Sequence, residues 1–366
     1  MAAVRHCFRN FHAAGAIRLP RAVSTPTKAA STYGTYDRLR PKSLQLLDVS
    51  KWKRREVPSD IAKPGYADSG EPNEWEGHIP ILSNVEVEKL SAAGDLARRV
   101  LDMGGKLCQP GITTDAIDKV LHSAIISEGA YPSPLNYMGF PKSICTSINN
   151  VIAHGIPDSR PLKNGDIINI DVTVYLDGYH GDTSATFLVG DVDEHGVALV
   201  DCTKECLDKA ISACGPGVPF REIGRIISKK RQGEITMFQS EYANKNSFSV
   251  SDELSGHGIG RQFHCLPLIY HHENDEEGHM EAGMAFTIEP ILCQGSAVGV
   301  QWPDKWTITT ADFGRSAQFE HTVSIKAENE YTQNIYIYTP WYQADQLSCI
   351  FNKIVVTEDG PQILTD

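Results

Sequence analysis

The stretch DIINIDVTVYLDGYHGDTSATFLV, residues 166–189, decides the fold. Over 166–175 apolar and polar residues alternate, with Ile168, Ile170, Val172 and Val174 on one face and Asn169, Asp171 and Thr173 on the other. A period of two marks a strand with one buried face. The turn-like LDGYHG follows, and a second strand is predicted over 183–189, so the stretch reads as a β-hairpin. Asp171 lies in the middle of the first strand and Asp182 at the start of the second, so a tight hairpin brings the two carboxylates close together across the ladder. Acids on the inner face of apolar strands need something to offset their desolvation.

Upstream, Asn84 begins a helical pattern in which Leu90, Ala93, Leu96, Val100 and Leu101 recur on one stripe, and a second runs from 114 to 127. Downstream, helical patterns at 196–214 and 221–228 precede strands predicted at 248–251, 285–292 and 318–325. This order points to an α+β domain with a curved, mainly antiparallel sheet. Residues 37–84 are rich in proline, glycine and charge and read as a linker or N-terminal arm. Residues 1–36 hold five basic side chains and no acid, the composition of an organellar transit peptide. The remainder carries 29 basic against 46 acidic side chains, a net charge of −17, which argues against nucleic acid as the main partner. No apolar run reaches the roughly 18 residues of a spanning helix, so no membrane partner is expected. The nine cysteines form no CxxC pair, which argues against a structural zinc module.

Two further acids lie in apolar strands, Glu289 in AFTIEPIL and Glu320 in SAQFEHTVSI. Four clustered carboxylates repel one another, and divalent cations would remove that penalty. Pairing with basic residues at the sheet edge is the alternative, although these strands offer few. His257 sits in GHGIG, whose small residues let the backbone approach a ligand closely; His264 in QFHCLP and His154 in VIAHGIPD are similar. Residue pattern alone leaves each histidine open between a hydrogen-bonded core residue and a ligand. A carboxylate-rich site with imidazole suits Mn, Fe, Co or Zn better than Mg or Ca. The acidic run 273–283 reads as a solvated hairpin tip, with His271 and His272 structural beside it. MGGK at 103–106 lacks the P-loop spacing, and neither HExxH nor GxSxG occurs.

The segments 136–190, GHGIGRQFHCLPLIYHH, GMAFTIEPIL and SAQFEHT together closely resemble type I methionine aminopeptidases, in that family's order and spacing, and most of all the mitochondrial form. The resemblance implies the pita-bread fold, a pseudo-twofold curved sheet with covering helices, over a single catalytic domain at 85–366. It implies two divalent metal ions (Co, Mn, Fe or Zn) held by Asp171, Asp182, His257, Glu289 and Glu320, and hydrolysis by a water activated between them. It further implies that Glu289 is the general base and that His154 and His264 contact the scissile peptide. Tyr137, Phe140, Cys145, Phe263 and Trp306 would line the methionine pocket, as suits a thioether. The implied reaction is co-translational release of N-terminal methionine before a small second residue. Methionine peptides, nascent chains and the ribosome are the implied partners, with the enzyme acting as a monomer. The mitochondrion is the expected location, with plastid or cytoplasm as alternatives.

Two stretches depart from the family pattern. Residues 229–240 interrupt a helix running into a strand, and 323–353 separate SAQFEHT from IVVTEDGPQILTD. Each reads as an atypical insertion, a surface loop or a translated intron. In the second, VSI at 323–325 is a candidate to replace IVV at 354–356 as the strand continuation. A prolidase or aminopeptidase P, and a non-catalytic protein of the same fold, are the competing functions.

Overall fold

The computed structural model describes residues 33–231, 248–326, 354–357 and 360–363. The rest of the basic leader, most of 229–240 and residues 327–353 lie outside the described residues. In chain order the helices are α1 (Asn84–Leu107), α2 (Thr114–Ser127), α3 (Glu194–Ser212) and α4 (Arg221–Arg231). The first half of the strands comprises β1 (Tyr131–Pro132), β2 (Cys145–Ile148), β3 (Val151–Ala153), β4 (Ile167–Leu176) and β5 (Tyr179–Leu188). Next come β6 (Phe248–Val250), β7 (Gly256–Gly258), β8 (Cys265–Ile269), β9 (Ala285–Ile288) and β10 (Ile291–Gln294). The series ends with β11 (Gly299–Gln301), β12 (Ile308–Thr310), β13 (Ser316–Gln318), β14 (Glu320–Ser324), β15 (Ile354–Thr357) and β16 (Gly360–Ile363).

The hairpin read from 166–189 is present as β4 and β5, paired antiparallel along their whole length. It anchors an eight-stranded sheet ordered β1-β4-β5-β14-β9-β7-β8, with β2 beside β4. Ile168, Ile170, Val172 and Val174 are fully buried in the main core with Leu96, Val100 and Leu101 of α1 and Ile117, Leu121 and Ile125 of α2. Each such side chain contributes about 1.5–3 kcal/mol on leaving water. Helix α1 starts at Asn84, where the helical pattern begins. Ser83 is the cap, and Glu86 reaches back to accept from its backbone N–H at 2.9 Å.

Two predicted strands are each broken in two. Pro290 has no N–H to give a ladder, so 285–292 divides into β9, in the large sheet, and β10, in a small sheet ordered β13-β10-β6. The partner chain bends at the same level: β13 pairs with β10 and β14 with β9, the change falling between Gln318 and Glu320. One long antiparallel pair therefore crosses from one sheet to the other, and Glu289 and Glu320 sit at the bend. Val323 and Ser324 continue β14 against Phe286 and Ala285, and Val323 and Ile325 are core residues. Strands β15 and β16 form a separate hairpin. The acidic run is not a hairpin tip: β8 and β9 both pair with β7, so the segment between them is a crossover loop.

The arm ahead of α1 has only one short 3-10 turn, at Val49–Lys51, yet it is tied to the body throughout. Tyr36 donates to Phe313 O at 2.8 Å, and Arg55 bridges Asp115 and Asp118 on α2. Arg315, fully buried, donates to Tyr33 O and Asp193. Residues 33–36, read as the end of the leader, are thus packed on the catalytic body.

Gly181 on β5 lies against the backbone of α1; a Cβ there would meet Gly94 N at 2.3 Å and Ala93 C at 2.4 Å. Because backbone cannot swing aside as a side chain can, Gly181→Ala is expected to cost more than about 2 kcal/mol. That corresponds to a fall of at least about 5 °C in melting temperature for a domain of this size. An unchanged thermal melt would contradict this packing.

Candidate metal centre

Register places the first two acids. Asp171 faces Ser184 and Asp182 faces Thr173 across the β4–β5 ladder, so the carboxylates are diagonal neighbours on one face. Asp182 lies inside its strand, which begins at Tyr179 rather than near 183. Thr173 Oγ1 donates to Asp182 Oδ1 at 2.7 Å. His257 is the central residue of β7, and its N–H donates to Thr287 Oγ1 at 3.0 Å. That hydroxyl in turn donates to Glu289 Oε1 at 2.8 Å, while Gln318 Nε2 donates to Glu289 Oε2 at 3.2 Å. The glycines around His257 serve a purpose other than the one expected. A Cβ at Gly258 would meet Leu266 O of β8 at 1.9 Å, so small size here admits the neighbouring strand rather than a ligand.

His257 Nδ1 lies 3.1 Å from Gly258 O, and because a carbonyl only accepts, this nitrogen carries the proton. Burial lowers the His257 pKa to about 4, so the ring is neutral and Nε2 is a lone pair. That lone pair faces Asp182 Oδ2 at 3.8 Å and Glu289 Oε1 at 3.7 Å. Ligand atoms of Asp182, His257 and Glu320 all lie within 4.8 Å of one another. Among the described residues no lysine or arginine forms an ion pair with Asp171, Asp182, Glu289 or Glu320. Burial therefore raises Asp171 to about 7 and Glu289 to about 8. Asp182 and Glu320 are raised well above the usual range by burial and then by the neighbouring carboxylates. Converging carboxylates held by neutral donors, with no cationic side chain paired to them among the described residues, fit a positively charged occupant, and carboxylates with one imidazole are a donor set for divalent metal.

Beside this cluster lies a cavity of about 140 Å³, and every site residue named from the sequence lines it. Tyr137 packs at 4.9 Å on Phe263, and Phe140 at 5.0 Å on Trp306, as edge-to-face ring pairs. Cys145 is buried on β2, opposite Asp171. His264 Nδ1 is 2.9 Å from the Tyr137 hydroxyl, and its ring centre is 4.1 Å from that of His257. His154, at φ +56°, lies with its ring 6.1 Å from Trp306. Burial lowers both histidines, His154 to about 4, so both are neutral near pH 7.

Several supporting residues escaped the sequence reading. Thr173, Thr287 and Gln318 each lie two positions from an acid in the sequence, a legible signal. His271 Nε2 accepts from Glu289 N at 3.0 Å, which gives the histidine read as structural a direct hold on the site. The arm also contributes: Tyr66 packs edge-on against Tyr137 at 4.9 Å, Arg54 donates to Asn136, and Met138 N donates to Gly70 O at 2.9 Å. These contacts hold a loop in which Asn136 and Met138 have left-handed backbone, φ +63° and +49°. The arm has no periodicity that could have revealed them.

The sequence profile of metallopeptidase family M24 matches residues 88–327. The chain belongs to that family, and the bent sheet with its covering helices is the pita-bread fold. Within the family it falls among the type I methionine aminopeptidases. It is 49% identical over 292 residues to methionine aminopeptidase 1D, chloroplastic/mitochondrial, of Arabidopsis thaliana, covering 80% of this chain and 78% of that one. To the mitochondrial methionine aminopeptidase 1D of Homo sapiens it is 52% identical over 269 residues, covering 74% and 77%. The crystal structure of methionine aminopeptidase from Rickettsia prowazekii superposes with a TM-score of 0.63 at 42% identity, covering 68% of this chain and 96% of that one. Metallopeptidases of this family use divalent metal, and Asp182, His257 and Glu320 are a group that could hold such an ion.

Raised carboxylate pKa values make the metal-free fold sensitive to pH. Between unfolded values near 4 and folded values of about 7 and 8, Asp171 and Glu289 bind more protons in the native state than in the unfolded one. Below about pH 6.5 the buried neutral histidines act in the opposite direction, because they bind protons only when unfolded, so stability of the metal-free protein falls with rising pH from about 7 to about 8. Saturating Mn(II) should abolish the fall, because metal binding displaces those protons. Parallel thermal melts with chelator and with Mn(II) test this; equal pH profiles would contradict it.

Proposed function

We propose that this protein removes the N-terminal methionine from peptides and nascent chains, preferring a small second residue, with two divalent metal ions at the carboxylate cluster. Asp171 and Asp182 would hold one ion, and Asp182, His257, Glu289 and Glu320 would complete the pair, with Mn, Fe, Co or Zn suited to this donor set. The observation that carries the reading is the unneutralised convergence of Asp182, Glu289, Glu320 and the His257 lone pair beside an aromatic cavity. Bound there, divalent metal supplies Lewis acidity, bringing the pKa of water towards about 7 and drawing charge from a carbonyl oxygen.

The chain's own residues do the rest. Tyr137, Phe140, Cys145, Phe263 and Trp306 present a polarisable, apolar wall, which favours an unbranched thioether side chain. Carboxylates at the end of the cavity recognise the free α-amine, restricting cleavage to the first peptide bond. Glu289, with both oxygens held by Thr287 and Gln318, takes the proton from the attacking water and returns it to the departing amine. Its metal-free value of about 8 shows how little this pocket favours the charged form. His264, its ring set by the Tyr137 hydroxyl, donates to the oxygen that gains charge, and His154 contacts the leaving amide. Relatives named as mitochondrial, together with the acid-free leader, support a mitochondrial enzyme.

Hydrolysis of Met-Ala-Ser and Leu-Ala-Ser by the metal-loaded enzyme tests the reading. Methionine release should exceed leucine release by at least about ten-fold, since a branched side chain cannot fill an unbranched pocket without loss. Asp182→Asn should lower kcat/KM by more than about a hundred-fold, as it removes a shared metal ligand. Equal rates on the two peptides, or an active Asp182→Asn enzyme, would overturn it.

A further inference from the structure

A second cavity, of about 200 Å³, adjoins the methionine pocket and is lined by Leu47, Ser50, Met138, Asp304, Lys305 and Trp306, among others. Met138, Lys305 and Trp306 line both cavities, so the two adjoin at these side chains. Neither wall of the second one is loose. On the arm side, Leu47 N donates to Pro303 O at 2.9 Å, Val49 is buried, and Ser50 Oγ donates to Asp48 Oδ1 at 2.6 Å. On the other side, the Asp304 carboxylate accepts from Trp306 N and Thr307 N, each at 2.8 Å. Two large apolar side chains remain open to solvent along this trough, Leu47 at 44% and Met138 at 36% exposure.

The direction of the substrate follows from the ring contacts. His154 packs against Trp306, and in the proposed function His154 meets the amide that departs, so the peptide beyond the cleaved bond leaves on the Trp306 side. The trough adjoins the first cavity on that side, at Met138 and Trp306. We infer that residues 47–50 of the N-terminal arm, with Met138 and the Asp304–Trp306 turn, form a subsite for the substrate residues beyond the third, favouring an apolar side chain there. The inference rests on the proposed methionine release. It assigns substrate contact to an arm segment that lies ahead of the family-matched region at 88–327.

The test compares Met-Ala-Ser with a six-residue peptide, Met-Ala-Leu-Phe-Ala-Ser, on the metal-loaded full chain. Leu47→Asp places a charge against the apolar residue, and Ser50→Trp fills the trough. Each should lower kcat/KM on the longer peptide by about five-fold, chiefly through KM, since a partly buried apolar contact is worth about that much. Each should leave Met-Ala-Ser within about two-fold of the parent enzyme, because a short peptide does not reach the substituted residues. A loss shared equally by both peptides, or none on the longer one, would overturn the subsite. Cleavage of Met-Ala-Ser reports on methionine release separately, so the two readings fail in different ways.

Discussion

The rest of the structure answers to one electrostatic problem, the burial of four carboxylates and an imidazole lone pair at a single point with, among the described residues, no lysine or arginine paired to them. Unneutralised, such a group costs several kcal/mol per charge and is relieved by taking up protons, as the raised values at Asp171 and Glu289 express. A divalent cation removes the same penalty while leaving the carboxylates ionised. The protein thus holds a site unfavourable to itself and favourable to metal, a strain that the core on the far face of β4 and β5 must offset.

The backbone solution is economical in its parts. A straight hairpin carries Asp171 and Asp182 on the face opposite the core. A bent pair of strands, broken at Pro290 and at Phe319, brings Glu289 and Glu320 to the same level from the other side. His257 enters on β7, the strand next to β9, through hydrogen bonding of its backbone to Thr287. Thr287 therefore links His257 and Glu289 through one hydroxyl. The arm, which has almost no regular structure, braces the loop that carries Tyr137 and so sets the ring of His264.

What could be read beforehand follows from the range of each interaction. The β4–β5 hairpin and the four helices were legible because burial on one face leaves a period in the chain. The suspicion attached to the carboxylates came from the same patterning, while the identity of His257 as a partner depended on the family resemblance. Strands 285–292 and 318–325 were each read as unbroken because apolar content continues through Glu289 and Glu320; the bends that matter come from pairing with two different sheets. Proline at 290 was the available clue. The acidic loop 273–283 was misread as a hairpin tip because local composition cannot tell a reversal from a crossover. Arm contacts such as Arg54 with Asn136, 82 positions apart, leave no local trace.

Anomalous diffraction from crystals of the full chain grown with Mn(II) tests the central claim most directly. Two anomalous peaks are expected, one bound by Asp171 and Asp182 and the other by His257 Nε2, with Glu289 and Glu320 completing the pair. Absence of peaks at these side chains, or a single ion that leaves Asp171 or His257 uncoordinated, would contradict it.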